Sequence, residues 1–301
     1  MDKLIEYIKI NNIGRYDTNE SLKKLTTYKV GGLAFLVVHP KSEDKLVDLI
    51  KYLKTSNIKY KVIGNGSNLL FSDKNYEGVL IKLDYLDDMQ INGTVIKVQA
   101  GYSLIKLCLH AARESLTGLE FASGIPGTVG GAVFMNAGAY KSDMGYIVQN
   151  VRVLTPNLKI INLTNREMNF HYRTSFLKTH PDYVCLSCTI KLAKGKKHNI
   201  EEVMRERKKR RIVSQPLEYP SAGSVFRNPP DNFSGKLIED LGLKGKIIGK
   251  AQISNKHANF IVNTGGAKAQ DIKDLMDLVQ SRVKEEYGID LIREQELVNW
   301  E

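Results

Sequence analysis

Cysteine is scarce in this chain, with three residues among 301. Three thiols cannot form a framework of disulfides, and so low a number is typical of a reducing compartment. Cys185 and Cys188 form a CxxC pair, but the surrounding YVCLSCTIKL predicts a strand, on which residues three apart point to opposite faces. No second pair completes a zinc site. We therefore interpret the cysteines as small core residues and predict no metal.

Long hydrophobic runs are also absent. No stretch of about eighteen apolar residues occurs, and the N-terminal MDKLIEYIKINN lacks the apolar segment of a signal peptide. We expect a cytoplasmic protein without membrane insertion. The length allows two or three domains with a sizeable core, and the composition is that of an ordinary folded protein.

Acidic residues are outnumbered, and the net charge is +11. Residues 191–211 contain ten Lys or Arg and three Glu, so this span holds seven of the eleven excess charges. It predicts a surface helix whose basic last turn suits the helix dipole. Because no aromatic residues alternate with the basic ones, we predict no nucleic-acid partner. A solvated helix face and a surface that attracts the phosphates of small ligands remain as alternatives.

Apolar periodicity and turn residues predict an α+β fold, because strands occur in runs with helices between them. Helices are expected over residues 2–10, after Ser42, from Ser103 to a stop at Gly118, over 198–211, and over 268–287 before Gly288. Strands are expected over residues 60–63, 78–83, 95–100, 148–154, 159–163, 247–253 and 258–263.

The most unusual stretch is residues 118–145, GLEFASGIPGTVGGAVFMNAGAYKSDMG, with seven glycines in twenty-eight residues and almost no charge. Glycine at this density costs backbone entropy, so we expect either positive φ or a ligand against the main chain. The alternative is a buried, turn-rich connection.

A second glycine-bearing turn, GNGSNLL, follows the predicted strand at residues 60–63. Its consecutive backbone N–H groups could form a concave nest for a pyrophosphate. It is not the dinucleotide fingerprint, because Leu69 replaces the third glycine and no helix is predicted after it. A tight turn between two strands is the alternative.

Polar residues beside turns occur in HYRTSFLK (171–178), in SAGSVFRNP (221–229) and at Glu294. Each has an ordinary interpretation, as an ion-paired Arg, a turn hydroxyl or an exposed carboxylate. Together, a cation, a hydroxyl and a carboxylate are what is needed to stabilise an enolate and deliver a proton to it.

These segments, in this order with TTYKVGG before them and HANFIVN after, resemble the UDP-N-acetylenolpyruvoylglucosamine reductase (MurB) family of peptidoglycan synthesis over residues 26–297. The resemblance implies a two-lobed FAD-binding domain of the vanillyl-alcohol-oxidase type and a separate C-terminal α+β substrate-binding domain. We expect FAD-binding lobes at residues 1–83 and 84–197 and the substrate-binding domain at 198–301.

The resemblance implies non-covalent FAD, held mainly by backbone amides around its pyrophosphate. The implied cofactor-binding residues are Gly64, Asn65, Gly66, Ser67, Asn68, Leu69, Ser123, Gly124, Pro126, Gly127, Thr128, Gly130, Gly131, Asn136 and Ala139. NADPH is the implied co-substrate.

The family's reaction implies the catalytic roles. NADPH reduces the flavin, flavin N5 then gives a hydride to the β-carbon of UDP-N-acetylglucosamine enolpyruvate, and the α-carbon takes a proton. Ser224 is the implied proton donor, and Arg173 and Glu294 the groups that stabilise the enolic form. Arg227, Asn228 and His257 are implied substrate contacts. We expect a monomer rather than an obligate oligomer.

Two departures from the family pattern leave questions open. The C-terminal run REQELVNWE carries Glu294 and Glu296 two residues apart, so both fall on one face of a strand. About fifty residues separate Arg173 from Ser224, without the tyrosine-bearing insertion that closes the site in some members. The chain resembles the shorter form of the family, and the group that closes over its substrate is unassigned.

Two other functions are considered. A flavin-dependent oxidase of the same fold often binds flavin covalently through His or Cys near the pyrophosphate loops, but residues 62–73 and 121–140 contain neither. A non-enzymatic basic protein that binds RNA or an anionic surface would be colourless and would bind polynucleotides with a steep salt dependence.

Overall fold

Helices form where apolar periodicity coincides with capping residues. The structure is a computed structural model that describes residues 2–300. Its helices are α1 (Asp2–Ile10), α2 (Leu22–Leu25), α3 (Glu43–Thr55), α4 (Leu104–Arg113), α5 (Val129–Met135), α6 (Asn165–Met168), α7 (Phe176–Thr179), α8 (Lys197–Ser214), α9 (Ser234–Asp240) and α10 (Ala269–Tyr287), with 3₁₀ turns at Glu120–Ala122 and Met144–Tyr146.

The strands are mostly short. They are β1 (Gly14–Ser21), β2 (Leu33–Pro40), β3 (Tyr60–Ile63), β4 (Leu69–Phe71), β5 (Tyr76–Lys82), β6 (Met89–Asn92), β7 (Val95–Gln99), β8 (Leu116–Thr117), β9 (Gly138–Ala139), β10 (Ser142–Asp143), β11 (Val148–Leu154), β12 (Ile160–Thr164), β13 (Val184–Lys191), β14 (Ala193–Lys194), β15 (Ile247–Ile248), β16 (Ala251–Ile253), β17 (Ile261–Asn263) and β18 (Glu296–Val298).

The chain divides into two compact units, each with its own apolar core. Unit 1 comprises the chain up to Thr18, Leu36–Gly64 and Glu77–Lys208. Unit 2 comprises Asn19–Phe35, Asn65–Tyr76 and the chain from Lys209 onward.

Two sheets organise unit 1. A four-stranded sheet, largely in this unit, has the order β1-β2-β5-β3, with β3 parallel to β5. A five-stranded antiparallel sheet has the order β12-β11-β13-β7-β6 and includes the predicted hairpin of β11 and β12. Cys185 and Cys188 are buried in β13, and burial raises the pKa of the Cys185 thiol to about 12. The prediction that they are core residues on a strand is confirmed.

Unit 2 is built on a three-stranded antiparallel sheet and a long helix. The sheet has the order β15-β16-β17, and α10 contacts all three strands with its buried Ile272, Leu275, Met276, Val279 and Val283. The carboxylate of Asp73 accepts the backbone N–H groups of Ala269 and Gln270, which caps the start of α10. Gly288, with φ +68°, ends the helix as predicted.

The local predictions were right for the long helices and wrong at two places, the end of one helix and one strand. Ser42 caps α3 by accepting the N–H of Lys45, as its position predicts. Helix α4, however, ends at Arg113 and not at Gly118, because Ser115 already adopts the left-handed conformation at φ +57°. The strand expected over residues 247–253 is instead the hairpin β15–β16, turned at Gly249 with φ +54°. Among the described residues, no helix is both long and apolar enough to cross a membrane.

Candidate functional site

The glycine-rich stretch forms a turn, the short helix α5 and the hairpin β9–β10 in unit 1. Among its seven glycines only Gly118 has positive φ. A Cβ at Gly130 would lie 2.8 Å from the Ala100 Cβ, and one at Gly138 would lie 2.5 Å from atoms of β10. At these two glycines φ is not positive, and the chain's own atoms leave no room for a side chain. The assignment of Gly130 to the cofactor stays a prediction.

Gly64, the first residue of the GNGSNLL turn, contacts the glycine-rich stretch within unit 1. A Cβ at Gly64 would lie 2.7 Å from the Oγ1 atom of Thr128, so only glycine allows this approach. The same Thr128 oxygen accepts the N–H of Gly131 and caps α5. The ends of β3 and of the glycine-rich turn are thereby brought together.

The remaining residues of the first turn lie in unit 2. They are Asn65, Gly66, Ser67, Asn68 and Leu69. Gly66 has φ +61°, and a Cβ there would lie 2.2 Å from the Leu25 carbonyl oxygen. Asn68 donates its side-chain amide to the Glu294 carbonyl and accepts the N–H of Glu296. The turn is thus fastened to the C-terminal segment that carries both candidate carboxylates.

The predicted cofactor residues of the second turn are uncharged. They are Ser123, Gly124, Pro126, Gly127, Thr128, Gly130 and Gly131, with Ala139 in β9. Pro126 has no backbone N–H, so it can offer a ligand only its ring and carbonyl. Several donors of this turn are used within the chain. The N–H groups of Gly127 and Gly130 donate to the Ile125 and Ala100 carbonyls, and the Ser123 hydroxyl donates to the Glu120 carbonyl.

Asn136 has a buried side chain with defined partners. It ends α5 in the left-handed conformation at φ 43° and is 2 % exposed. Its amide nitrogen donates to the His171 carbonyl, and its amide oxygen accepts the N–H of Gly145, each at 2.9 Å. The side chain therefore connects the glycine-rich stretch to the turn that carries Arg173.

Arg173 lies on a tight turn in which His171 and Thr174 exchange backbone hydrogen bonds. Its own φ is +55°, a conformation uncommon outside glycine and found at constrained sites. The guanidinium donates to the Gly138 carbonyl at 2.9 Å and lies over the Tyr172 ring. The candidate cation is thus held beside β9, at the end of the glycine-rich helix.

In unit 2, the side chain of Gln295 holds the turn that carries Ser224. The buried amide nitrogen of Gln295 lies 3.0, 3.2 and 3.4 Å from the carbonyl oxygens of Ala222, Gly223 and Ser224. Its amide oxygen accepts the hydroxyl of Tyr28 at 2.9 Å. Tyr28 is fully buried, and burial raises the pKa of its hydroxyl well above the usual value, so it donates.

Ser224 and Glu294 lie on adjacent paired segments. Phe226 and Arg293 form an antiparallel bridge, and Glu294 donates its N–H to the Val225 carbonyl. Glu296 lies on β18, which pairs in parallel with β4 and matches it to Leu69. Glu294, and not Glu296, is therefore the carboxylate whose backbone is paired beside the serine turn.

A cavity of about 610 Å³ in unit 2 brings together several predicted site residues. Ser224, Asn228 and His257 line it, together with Phe233, Lys236 and Lys256, which the sequence did not single out. Arg227 is not among the lining residues. Its backbone N–H donates to the Ile292 carbonyl. Among the described residues, its buried Nε has no hydrogen-bond acceptor.

His257 is neutral near pH 7, since burial first and the nearby Lys244 second lower its pKa below 6.5. Its Nδ1 accepts the N–H of Asn259 at 3.2 Å, which places the proton of the neutral ring on Nε2. The residue therefore offers the cavity a neutral N–H donor rather than a cation.

This lowered pKa predicts a pH dependence of stability. Because the folded pKa lies below the unfolded value of 6.5, the unfolded chain binds more protons, and stability falls as pH drops below 6.5. The free energy of unfolding of the native protein should fall between pH 7.5 and pH 5.5. Allowing for partial exposure of the ring, we expect this decrease to be smaller by up to about 1 kcal/mol in His257→Gln. Urea denaturation at both pH values measures it, with the exposed His198→Gln as control. An unchanged pH dependence in His257→Gln would contradict the assignment.

Sequence reasoning missed the residues whose roles depend on distant partners. Gln295 lies 267 positions from Tyr28. Tyr28 lies within TTYKVGG and Gln295 between two glutamates, but neither residue was singled out from the sequence. Lys256 donates to the Ile212 carbonyl and the Glu218 carboxylate, and nothing in its local sequence indicates this.

Comparison with known proteins agrees with the geometry. Residues 34–164 match the model of an FAD binding domain, and residues 215–298 match that of the UDP-N-acetylenolpyruvoylglucosamine reductase C-terminal domain. UDP-N-acetylenolpyruvoylglucosamine reductases of Anoxybacillus flavithermus and Bacillus subtilis are 47% and 44% identical, each over 99% of both chains.

Solved structures agree on the fold. The crystal structure of UDP-N-acetylenolpyruvylglucosamine reductase (MurB) from Thermus caldophilus superposes with a TM-score of 0.80 at 35% identity, covering 94% of this chain and 98% of that one. Berberine bridge enzyme from Eschscholzia californica has a TM-score of 0.50 at 16% identity, over 64% of this chain and 44% of that one, a likeness of fold alone. The predicted α+β fold with an FAD-binding domain of the vanillyl-alcohol-oxidase type is confirmed. The chain belongs to the UDP-N-acetylenolpyruvoylglucosamine reductase family.

Proposed function

We propose that Ser224 is the proton donor in the reaction of this family, the NADPH-dependent, FAD-mediated reduction of UDP-N-acetylglucosamine enolpyruvate to UDP-N-acetylmuramate in peptidoglycan synthesis. The observation that carries the proposal is the turn of Ser224. Gln295 fixes three consecutive carbonyl groups of this turn, and Ser224 lines the cavity with Asn228 and His257. A hydroxyl held in this way can act on one atom of a bound substrate.

The residues present fit an FAD diphosphate. Residues 64–69 and 123–139 contain no charged side chain, so no carboxylate repels the anion. We propose that backbone N–H groups of these segments, with the hydroxyls of Ser67 and Thr128, bind the diphosphate, and that Asn136 acts by orienting the Arg173 turn. When bound, FAD accepts a hydride from NADPH and supplies it to the β-carbon of the enolpyruvyl group.

Residues of the chain then stabilise the negative charge and supply the proton. Hydride addition leaves an electron pair on the α-carbon, which the substrate carboxylate delocalises as an enolate. Arg173 stabilises this negative charge, and Glu294 stabilises the enolic form. The O–H bond of Ser224 breaks as the C–H bond forms at the α-carbon, and the serine oxygen regains a proton from solvent. A serine hydroxyl is a weak acid, so the enolate must be basic and well aligned.

Substrate contacts follow from the cavity. We propose that Asn228 and His257, which line the cavity, donate to the nucleotide or carboxylate groups, and that Arg227, which does not line it, acts on the same end of the substrate. The same proposal includes a domain division at residues 83 and 197, a monomeric state and a cytoplasmic location. Nucleic acid has no part in it.

The function is tested with the purified holoprotein. It should be yellow and should release FAD on heating, because residues 62–73 and 121–140 contain no His or Cys for a covalent link. It should turn over NADPH continuously only when the enolpyruvyl substrate is present. Protein that stays colourless after addition of FAD would overturn the proposal. Salt-sensitive binding of a polynucleotide without flavin would favour the basic binding protein instead.

The choice between the two glutamates gives a separate prediction. Because the backbone of Glu294 pairs with Val225, beside Ser224, we expect Glu294→Gln to slow substrate reduction about a hundredfold or more while NADPH still reduces the flavin. Glu296→Gln, on β18, should retain activity within about threefold. Single-turnover reoxidation of the flavin by substrate measures both, and the reverse order would assign the role to Glu296.

A further inference from the structure

Phe233 is a large apolar side chain exposed beside the substrate cavity. It is 66 % exposed, and it is the only large apolar residue among those that line the cavity in the described chain. Apart from Gly235 and Ala258, the other lining residues are polar or charged: Ser224, Asn228, Lys236, Glu239, Asp240, Lys256, His257 and Asn259. An exposed aromatic ring in an otherwise polar cavity indicates a contact with a flat apolar group of a ligand.

The backbone around Phe233 is firmly held. Ser234, which is fully buried, donates its hydroxyl to the Arg227 carbonyl at 2.5 Å, and its N–H binds the side chain of Asn228 at 3.1 Å. The Phe233 carbonyl accepts the N–H of Leu237 in the first turn of α9. The backbone from which the ring extends is therefore held in place, so no main-chain ordering is needed when the ring binds a ligand.

The substrate contains one group with an aromatic face. Its diphosphate is charged, and its sugars and enolpyruvyl group are polar, but the uracil ring is planar. We propose that Phe233 stacks on the uracil base and is the group that covers the nucleotide end of the substrate, with Asn228 held beside it through Ser234. This inference rests on the proposed function, because it requires a UDP-sugar in the cavity.

Base stacking on an aromatic side chain gives an expected size for the effect. We expect Phe233→Ala to weaken binding of UDP about 10- to 100-fold and to raise KM for the substrate similarly, with kcat nearly unchanged. Phe233→Tyr should bind UDP as the native protein does.

Calorimetric titration of the FAD-loaded protein with three probes tests the inference. UDP should lose affinity in Phe233→Ala, while inorganic pyrophosphate and N-acetylglucosamine 1-phosphate, which lack the base, should not. Tyr219→Ala removes another exposed aromatic ring of unit 2 and is the matched control. Thermal unfolding and FAD content verify that the variants are folded.

Two results would overturn the inference. One is an unchanged UDP affinity in Phe233→Ala; the other is an equal loss for N-acetylglucosamine 1-phosphate, which would assign the ring to the sugar. Failure of the proposed function looks different, since the native protein would then not oxidise NADPH in response to substrate. The effect of Phe233 on UDP binding is measured independently of turnover.

Discussion

Ser224→Ala is expected to slow substrate reduction about a thousandfold while leaving reduction of the flavin by NADPH nearly intact. The hydroxyl is needed only when the α-carbon takes its proton, so its loss affects the second half-reaction alone. Stopped-flow absorbance separates the two steps, since the flavin is bleached by NADPH and regains its colour when substrate is reduced.

The control for this prediction lies in the same turn. Ser221→Ala removes a hydroxyl three residues earlier and should leave both half-reactions within about threefold of the native rates. A parallel loss of both half-reactions in Ser224→Ala, with reduced FAD content, would instead make Ser224 a structural residue.

The sequence predicted the long helices well because their signals are local. Ser42 and Gly288 bound α3 and α10, and the buried residues between follow helical spacing. The prediction that α4 ends at Gly118 was wrong because a glycine allows a helix to end but does not require it to continue that far. Ser115 adopted the left-handed conformation first, and a serine does not reveal this in sequence.

Motifs identified the candidate residues, but they did not reveal the contacts that hold these residues in place. Asn136 reads as one polar residue among glycines, yet its buried amide joins the glycine-rich stretch to the Arg173 turn. The sequence also gives no sign that Gly130 packs against Ala100. Burial and long-range pairing decide these roles, and neither has a local signature in the chain.

Within each unit, the candidate catalytic groups are attached to buried amides. In unit 1, the Asn136 amide holds the turn of Arg173. In unit 2, the Gln295 amide holds the turn of Ser224, while Glu294 precedes Gln295 in the chain. A buried amide with all its partners present fixes a loop more firmly than apolar packing does, because each lost hydrogen bond leaves an unpaired polar group.

Gln295→Leu should therefore have the second large effect. It removes the acceptor of the buried Tyr28 hydroxyl and the donor to the serine turn, so we expect the free energy of unfolding to fall by about 2–4 kcal/mol. Reduction of substrate should slow about tenfold or more in protein that still binds FAD and accepts electrons from NADPH. Gln280→Leu, which removes one amide bond to the Leu291 carbonyl, is the matched control and should lower stability without this selective loss.

A double-variant cycle shows whether the buried pair acts as one element. Tyr28→Phe alone leaves the Gln295 amide oxygen unpaired, whereas Tyr28→Phe with Gln295→Leu removes both partners of that bond. Because replacing both partners costs less than stranding one, the double variant should be more stable than the sum of the single losses predicts, by about 1 kcal/mol or more. Urea denaturation of the four proteins measures the difference. Strict additivity would mean that Tyr28 does not orient Gln295, and the Gln295 amide would then hold the serine turn without the help of Tyr28.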